Sequence, residues 1–413
     1  LASHVFGEKV IRLIVESAAP LSYRPNANLD VVAAAFHAGV MKRLSRAAAG
    51  VPVAEALARY CGEMMRQPWP TTSSCWQPEV GATLQRIHEG KPLEAALQAL
   101  FALHALRIAG TWCVELSGPV RVSMAGHIFD VRGKIDVQAA SGKLVILDRD
   151  GVLAPLEFGA VGGGWRILGQ CAPDAGWRYA RPSFFKEEGF EGSYVQPWRL
   201  PDCHRRGDDL IVDWPQQPVG ADEAALAADV ATQMPGVFAL LRHIGPHYLS
   251  WCAPVFRGIA ACPSYDAGMR ISASFPSHTG VVSVAFPLST PYLAEILVHE
   301  LSHQYFLMLG AAIPLLKKRA DDALYYSSFK MKQRPLSKIF LAYHATANMA
   351  LFWHGLLSVP TPHTALAAEE LAKLLPHTKS LGGTIAASGG LSEAGEAMFG
   401  TQRALLQERG WDA

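Results

Sequence analysis

The segment Tyr292-Leu-Ala-Glu-Ile-Leu-Val-His-Glu-Leu-Ser-His-Gln-Tyr-Phe-Leu-Met-Leu309 decides how this 413-residue chain is read. Inside it lies His299-Glu300-Leu301-Ser302-His303. Two histidines four apart on a helix project to the same side, one turn above the other. Their ring nitrogens can share one metal ion, with the carboxylate of Glu300 beside the first. That spacing is the metal helix of zinc hydrolases, although imidazole suits iron as well as zinc. Ser289 and Thr290 suit an N-cap, Pro291 suits the first helical position, and Gly310 suits a stop. Leu293, Ile296, Leu297, Leu301 and Phe306 make the segment apolar on more than one face, which predicts a buried helix. A buried helix bearing two histidines and a glutamate needs polar partners, and a metal supplies them.

Working outward, Gly280-Val-Val-Ser-Val-Ala-Phe286 reads as a strand running into the metal helix. Met269 to Phe275 reads as its hairpin partner, with a turn from Pro276 to Thr279. An extended peptide could add to the edge of that strand. Helices are expected over Ala221 to Thr232, Gly236 to Ile244, Leu336 to Leu357, Thr364 to Leu375 with Pro376 as a stop, and Glu393 to Arg409, with a loop from Gly382 to Gly390. The N-terminal part reads as helices over Glu8 to Ala18, Asn28 to Ala49, Ala54 to Met65 and Leu93 to Ile108. A small antiparallel sheet follows, from Val120 to Met124, Phe129 to Val137, Lys143 to Leu147 and Trp165 to Leu168, with a turn at Ser141-Gly142. Gly162-Gly163-Gly164 lacks the following helix and Lys-Ser/Thr of a phosphate loop. Residues 171 to 219 are rich in Pro, Gly and Trp and read as irregular.

The expected fold class is therefore α+β, mainly helical. Residues 1–205 hold helices and the antiparallel sheet. Residues 206–413 form a helical metal-binding domain with a short β-hairpin. The N-terminal region is a candidate for binding a leader peptide or for forming a homodimer.

Half of the residues are hydrophobic, and 37 basic residues balance 36 acidic ones. This balance gives no electrostatic footprint for nucleic acid or a membrane surface. Seven cysteines without a Cys-x-x-Cys suit a reduced, cytoplasmic protein with mostly buried thiols. Glu8, Lys9, Arg12 and Glu16 break any apolar opening run, so a signal peptide is not expected. The charge-free run from Leu341 to Ala368 contains His344, Asn348, His354, Pro360, Pro362 and His363, which argues against a membrane span.

A mononuclear catalytic site takes three protein ligands and leaves a position open. The metzincin pattern fails, because Phe306 and Leu309 stand where it requires glycine and histidine. No glutamate lies between Leu301 and Ala368, and Glu369 comes only after a proline-containing break. Asp321 and Asp322 sit in the polar run Lys317 to Asp322, which reads as a solvated turn. His344 shares an apolar helix face with Ile339, Phe340, Tyr343 and Ala347 and is the first candidate. His354 and the aspartate pair remain open.

With those residues in hand, the stretch from Leu210 to Trp353 resembles a family of HExxH-motif proteins encoded beside ribosomally made, post-translationally modified peptides. The resemblance rests on Ile296-Leu-Val-His-Glu-Leu-Ser-His303, on Tyr325-Tyr-Ser-Ser-Phe-Lys330, and on Arg334-Pro-Leu336 before a helix carrying Leu351-Phe-Trp353. Where the family tends to show Tyr-Tyr-Ser-Pro-Trp-Arg, this chain carries Ser328, Phe329 and Lys330. The resemblance implies a peptide-modifying enzyme. Some members are Fe(II)- and 2-oxoglutarate-dependent hydroxylases that act at a β-carbon of a precursor peptide. Such an enzyme needs a fixed cation for the far carboxylate of 2-oxoglutarate. Arg334 is the first candidate and Lys330 the second; Tyr325 or Tyr326 could also bond the co-substrate. Glu300 would then be an extra ligand or a supporting residue. Two other readings stay open. In a zinc metallopeptidase processing a precursor peptide, Zn(II) would sit at the same histidines with Glu300 as general base. In a non-catalytic peptide carrier, the metal would be structural.

Overall fold

The computed structural model describes residues 2–25, 29–64, 76–103, 110–124, 126–140, 143–149, 156–161, 164–168, 179–180, 182–185, 187–190, 192–197, 203–206, 209–212, 221–264 and 270–411. The fold is α+β and mainly helical, as the periodicity predicts. The turn at Ser141-Gly142, the pair Gly162-Gly163 and most of residues 171–219 lie outside the described residues.

The chain forms two compact units that interleave in sequence. A sheet unit comprises Ala33–Met234 and Phe256–Pro287, and a helical unit comprises Leu1–Val32, Pro235–Val255 and Leu288–Ala413. This division differs from a single cut between residues 205 and 206, and strand pairing gives the reason. Strand β8 (Tyr194–Pro197) pairs in parallel with β11 (Gly258–Pro263), which pairs in parallel with β13 (Val281–Phe286). Residues from both sides of the expected cut thus share one sheet.

In the sheet unit, strands β1 (Gly110–Met124), β2 (His127–Ala140), β3 (Lys143–Asp148), β4 (Leu156–Val161) and β5 (Gly164–Leu168) form an antiparallel meander in chain order. Alternate residues face one side. Val114, Leu116, Val131, Ile135, Val137, Leu144 and Ile146 are accordingly buried in a core that also contains Leu44, Leu57, Leu97 and Leu100. Those leucines come from helices α2 (Leu29–Ala47), α3 (Pro52–Met64) and α5 (Pro92–Leu103). Helix α4 (Pro78–His88) packs beside α5 and was not signalled by the sequence pattern.

The second sheet has the order β12-β13-β11-β8-β7, with β7 at Ser183–Phe184 and β12 at Ser272–Ala273. The expected hairpin is present only as the antiparallel pairs Ser272↔Val284 and Ala273↔Ser283. Strand β13 has β12 on one side and β11 on the other, so it is not an edge available for peptide addition.

In the helical unit, α1 (Ala2–Ser17) leads the chain and α8 (Thr290–Ala312) is the metal helix. It packs against α9 (Leu336–Leu357), which also packs against α10 (Thr364–Ser388) and α11 (Glu393–Gln407). A two-stranded hairpin, β14 (Leu324–Ser327) with β15 (Lys332–Pro335), joins α8 to α9 where the sequence reads as a polar loop. Two expected stops are passed. Helix α8 continues beyond Gly310 to Ala312, and α10 runs through Pro376 to Ser388 before Gly389 ends it at a φ of 59°. Likewise α6 (Ala221–Ile244) is one helix with Pro235 inside it rather than two, followed by α7 (Pro246–Cys252). Helix α6 is long and apolar enough to cross a membrane by length and composition, a test that core helices of globular proteins also pass.

Candidate metal centre

Helix α8 brings His299, Glu300 and His303 together as expected. One ligand atom from each lies within 4.8 Å of the others. His299 Nε2 is 3.7 Å from Glu300 Oε1, and the two imidazole rings stand nearly perpendicular with centroids 4.6 Å apart. Glu300 is buried, whereas His299 keeps 18% of its side chain exposed, so one side of the group is open. His303 Nδ1 is buried and makes no hydrogen bond among the described residues. Two imidazoles and a carboxylate at this spacing fit a divalent cation.

Burial holds both histidines neutral. It lowers the His299 pKa, with Glu300 opposing the shift and the charge of Lys330 adding to it. His303 is pushed well below the usual histidine range, first by burial, then by competition with protonation of His299 and His344 and by the charges of Lys338 and Arg334. Neutral imidazole is the metal-binding form. Lys330, Arg334 and Lys338 therefore all act on the histidine pair, and none of the three forms an ion pair among the described residues. Arg334 is half-buried on β15, directly across from Tyr325. Tyr326 pairs with Gln333 on the opposite face of the hairpin and is 52% exposed. Successive residues of a strand face opposite ways, so Tyr325, not Tyr326, shares a face with Arg334.

The structure does not bring His344 into this donor group. Its Nε2–H donates to the carbonyl of Ala18 at 2.8 Å, and its ring is not part of the donor group. The reason is the buried C-terminus of α1. The last carbonyls of a helix have no intrahelical partner and must be satisfied from elsewhere. Trp251 Nε1 donates to Ser17 O at 2.9 Å, and Asn348 Nδ2 joins His344 at Ala18 O at 3.2 Å. The network continues through Asn348 to Ser302 Oγ at 2.9 Å and through Gln402 Nε2 to Asn348 Oδ1 at 3.1 Å. His344 caps the end of α1 and lies outside the donor group, close enough to influence His303.

The other open candidates are also elsewhere. His354 packs edge-on against Trp411, with ring centroids 5.1 Å apart. Both aspartates lie in the turn Ala320–Asp322 ahead of the hairpin: Asp321 accepts from the Ser337 backbone N–H at 2.7 Å and Asp322 pairs with Arg319 at 2.6 Å. Sequence reasoning missed Met349 and Lys338. Met349 Sδ lies 2.9 Å from His299 Nδ1, and a methionine in an apolar helix carries no signal that separates it from ordinary core.

No family model matches the chain, and no curated protein matches it at a significant level.

Proposed function

We propose that this protein is a non-haem Fe(II)- and 2-oxoglutarate-dependent oxygenase that hydroxylates a β-carbon in a ribosomally made precursor peptide. The observation that carries the reading is one donor group, two imidazoles and a carboxylate, under the electrostatic influence of Lys330, Arg334 and Lys338, which form no ion pair among the described residues. Two histidines with one carboxylate is the donor set of non-haem iron oxygenases. Glu300 supplies the carboxylate that a three-histidine set would lack. The co-substrate is a dianion. Arg334 offers a planar fork for its far carboxylate, and Lys330 and Lys338 add charge. Iron, when bound with 2-oxoglutarate and O₂, supplies the oxidising chemistry. The protein's part is to hold neutral imidazoles in place, orient the co-substrate and keep Glu300 buried. The precursor-peptide substrate rests on the sequence resemblance.

A second reading, a zinc metallopeptidase, is favoured by the 3.7 Å approach of Glu300 to His299, since a buried carboxylate beside a metal-bound water can act as general base. Anaerobic loading with Fe(II) followed by 2-oxoglutarate distinguishes them. The oxygenase reading expects a visible charge-transfer band, then succinate and a peptide heavier by one oxygen once O₂ is admitted. Absence of the band, together with peptide-bond cleavage by the zinc form, would overturn it. Arg334→Ala is expected to weaken 2-oxoglutarate binding by roughly 10–100-fold, about the cost of one charged hydrogen-bonded pair, as read by titrating the band.

A further inference from the structure

We infer that Met349 is a positioning residue for His299, taking the Nδ1–H on its thioether sulfur and leaving Nε2 as the metal donor. The inference rests on the metal-centre reading above and concerns which nitrogen of His299 faces the ion.

A neutral imidazole has one N–H and one lone pair. His299 Nδ1 faces Met349 Sδ at 2.9 Å, while Nε2 is the nitrogen on the Glu300 side, 3.7 Å from Oε1. A thioether has no hydrogen to give, so a favourable Nδ1 contact requires the proton on Nδ1. The lone pair is then on Nε2, beside the carboxylate of the same donor group. Met349 is buried, and its neighbour Asn348 is tied to Ser302 of α8 through its side-chain amide, which fixes the approach of this part of α9. The sulfur is therefore held against the ring by packing and not by its own bonding strength.

Metal-binding histidines ordinarily give their second N–H to a carboxylate, a backbone carbonyl or a water, which orients the ring and raises its basicity. Sulfur is a weak acceptor. Met349 thus sets the tautomer and the ring plane of His299 while adding little basicity. The centre is tuned toward weaker binding than an oxygen acceptor at the same place would give. Two substitutions separate these effects. Met349→Leu keeps the volume and removes the acceptor. Met349→Gln keeps the reach and presents a carbonyl oxygen.

The experiment uses the full chain with two readouts: ¹⁵N spectra of histidine-labelled, metal-free protein, and Zn(II) affinity by competition with a chromophoric chelator. The expected result is a wild-type His299 held as the Nδ1–H tautomer and a mixed population in Met349→Leu. Zn(II) binding should weaken by roughly 2–5-fold in Met349→Leu, because only the fraction of rings with the proton on Nδ1 is then competent to bind. In Met349→Gln both readouts should return to wild-type values, or binding should tighten. An Nε2–H tautomer in the wild type, or an unchanged tautomer and affinity in Met349→Leu, overturns the inference. Equal loss in Leu and Gln also overturns it, because the sulfur would then be a ligand itself. If the tautomer pattern holds while wild-type protein binds no metal, the positioning role stands and the metal-centre reading falls.

Discussion

Replacing His303 with alanine is expected to abolish tight binding of a divalent cation, and turnover with it. The donor group has three members on one helix, two of them imidazoles four residues apart, so removing either ring leaves one imidazole and the carboxylate of Glu300. The affinity loss should exceed about 100-fold, the upper end of what losing a mere outer partner costs. Fold stability should not fall in parallel. His303 Nδ1 is buried without a hydrogen bond among the described residues, and removing such an atom relieves a desolvation cost. Wild-type protein should therefore melt at a higher temperature when Zn(II) or Fe(II) is added, by simple mass action, and His303→Ala should melt at the same temperature with or without metal. A metal-dependent shift that survives in His303→Ala would remove the centre from this helix. Glu300→Gln refines the result. Under the oxygenase reading Glu300 is a donor, so affinity and activity fall together. If the metal stays tightly bound while turnover drops by about 10²–10⁴, the range for losing a general base, Glu300 acts on bound water and the hydrolase reading takes over.

The parts of this architecture that were legible in the sequence are those whose signals are local. The His299–His303 pair, the start of α8 at Thr290 and the whole extent of α9 follow from helical periodicity and from proline at the first turn. The meander strands follow from alternation. What was missed depends on distant partners. Helix α4 is buried without interruption from Pro78 to Leu84, so polar Glu79 and Thr83 lie in the interior beside Val80 and Leu84 and blur the boundary between buried and exposed positions. Gly81 is required because a β-carbon there would lie 2.5 Å from the Pro276 carbonyl oxygen. Strand β11 is buried along nearly its whole length, as strands with neighbours on both sides often are, so Gly258-Ile-Ala-Ala-Cys-Pro263 shows no alternation. Pro376 and Pro235 lie inside helices that tertiary packing carries past them. At the site, the cations on the hairpin and at the start of α9 were partly legible as a polar connection between two helices. The true partner of His344 was not, because the Ala18 carbonyl lies 326 residues earlier in the chain.

That long-range pairing makes His344 the second decisive position. His344→Ala is expected to destabilise the protein by about 2–4 kcal/mol while leaving metal affinity per folded molecule unchanged. The cost has two sources: a cavity where a fully buried ring stood, and an Ala18 carbonyl left with Asn348 as its remaining side-chain donor. The pH dependence should change too. Burial lowers the His344 pKa from 6.5 to about 4, against the opposing effect of backbone acceptors at Ala18 and Ser302, which favour the doubly protonated ring. In the unfolded chain the same ring titrates near its ordinary value. The unfolded state thus binds more protons between these two values, and stability falls with acidification across that interval. The contribution of His344 is complete above pH 6.5 and is lost as the pH falls through about 4, with a slope of at most about 1.4 kcal/mol per pH unit. His37 and His278, lowered by burial to about 4 and about 3, impose the same sign and remain in the variant. Denaturant unfolding of wild type and His344→Ala at several pH values should therefore give curves that diverge most above pH 6.5 and converge toward pH 4. Parallel curves would mean that His344 is not a buried neutral cap. A loss of metal binding by folded His344→Ala, matching that of His303→Ala, would restore it as a third ligand and overturn the assignment of Glu300 to that role.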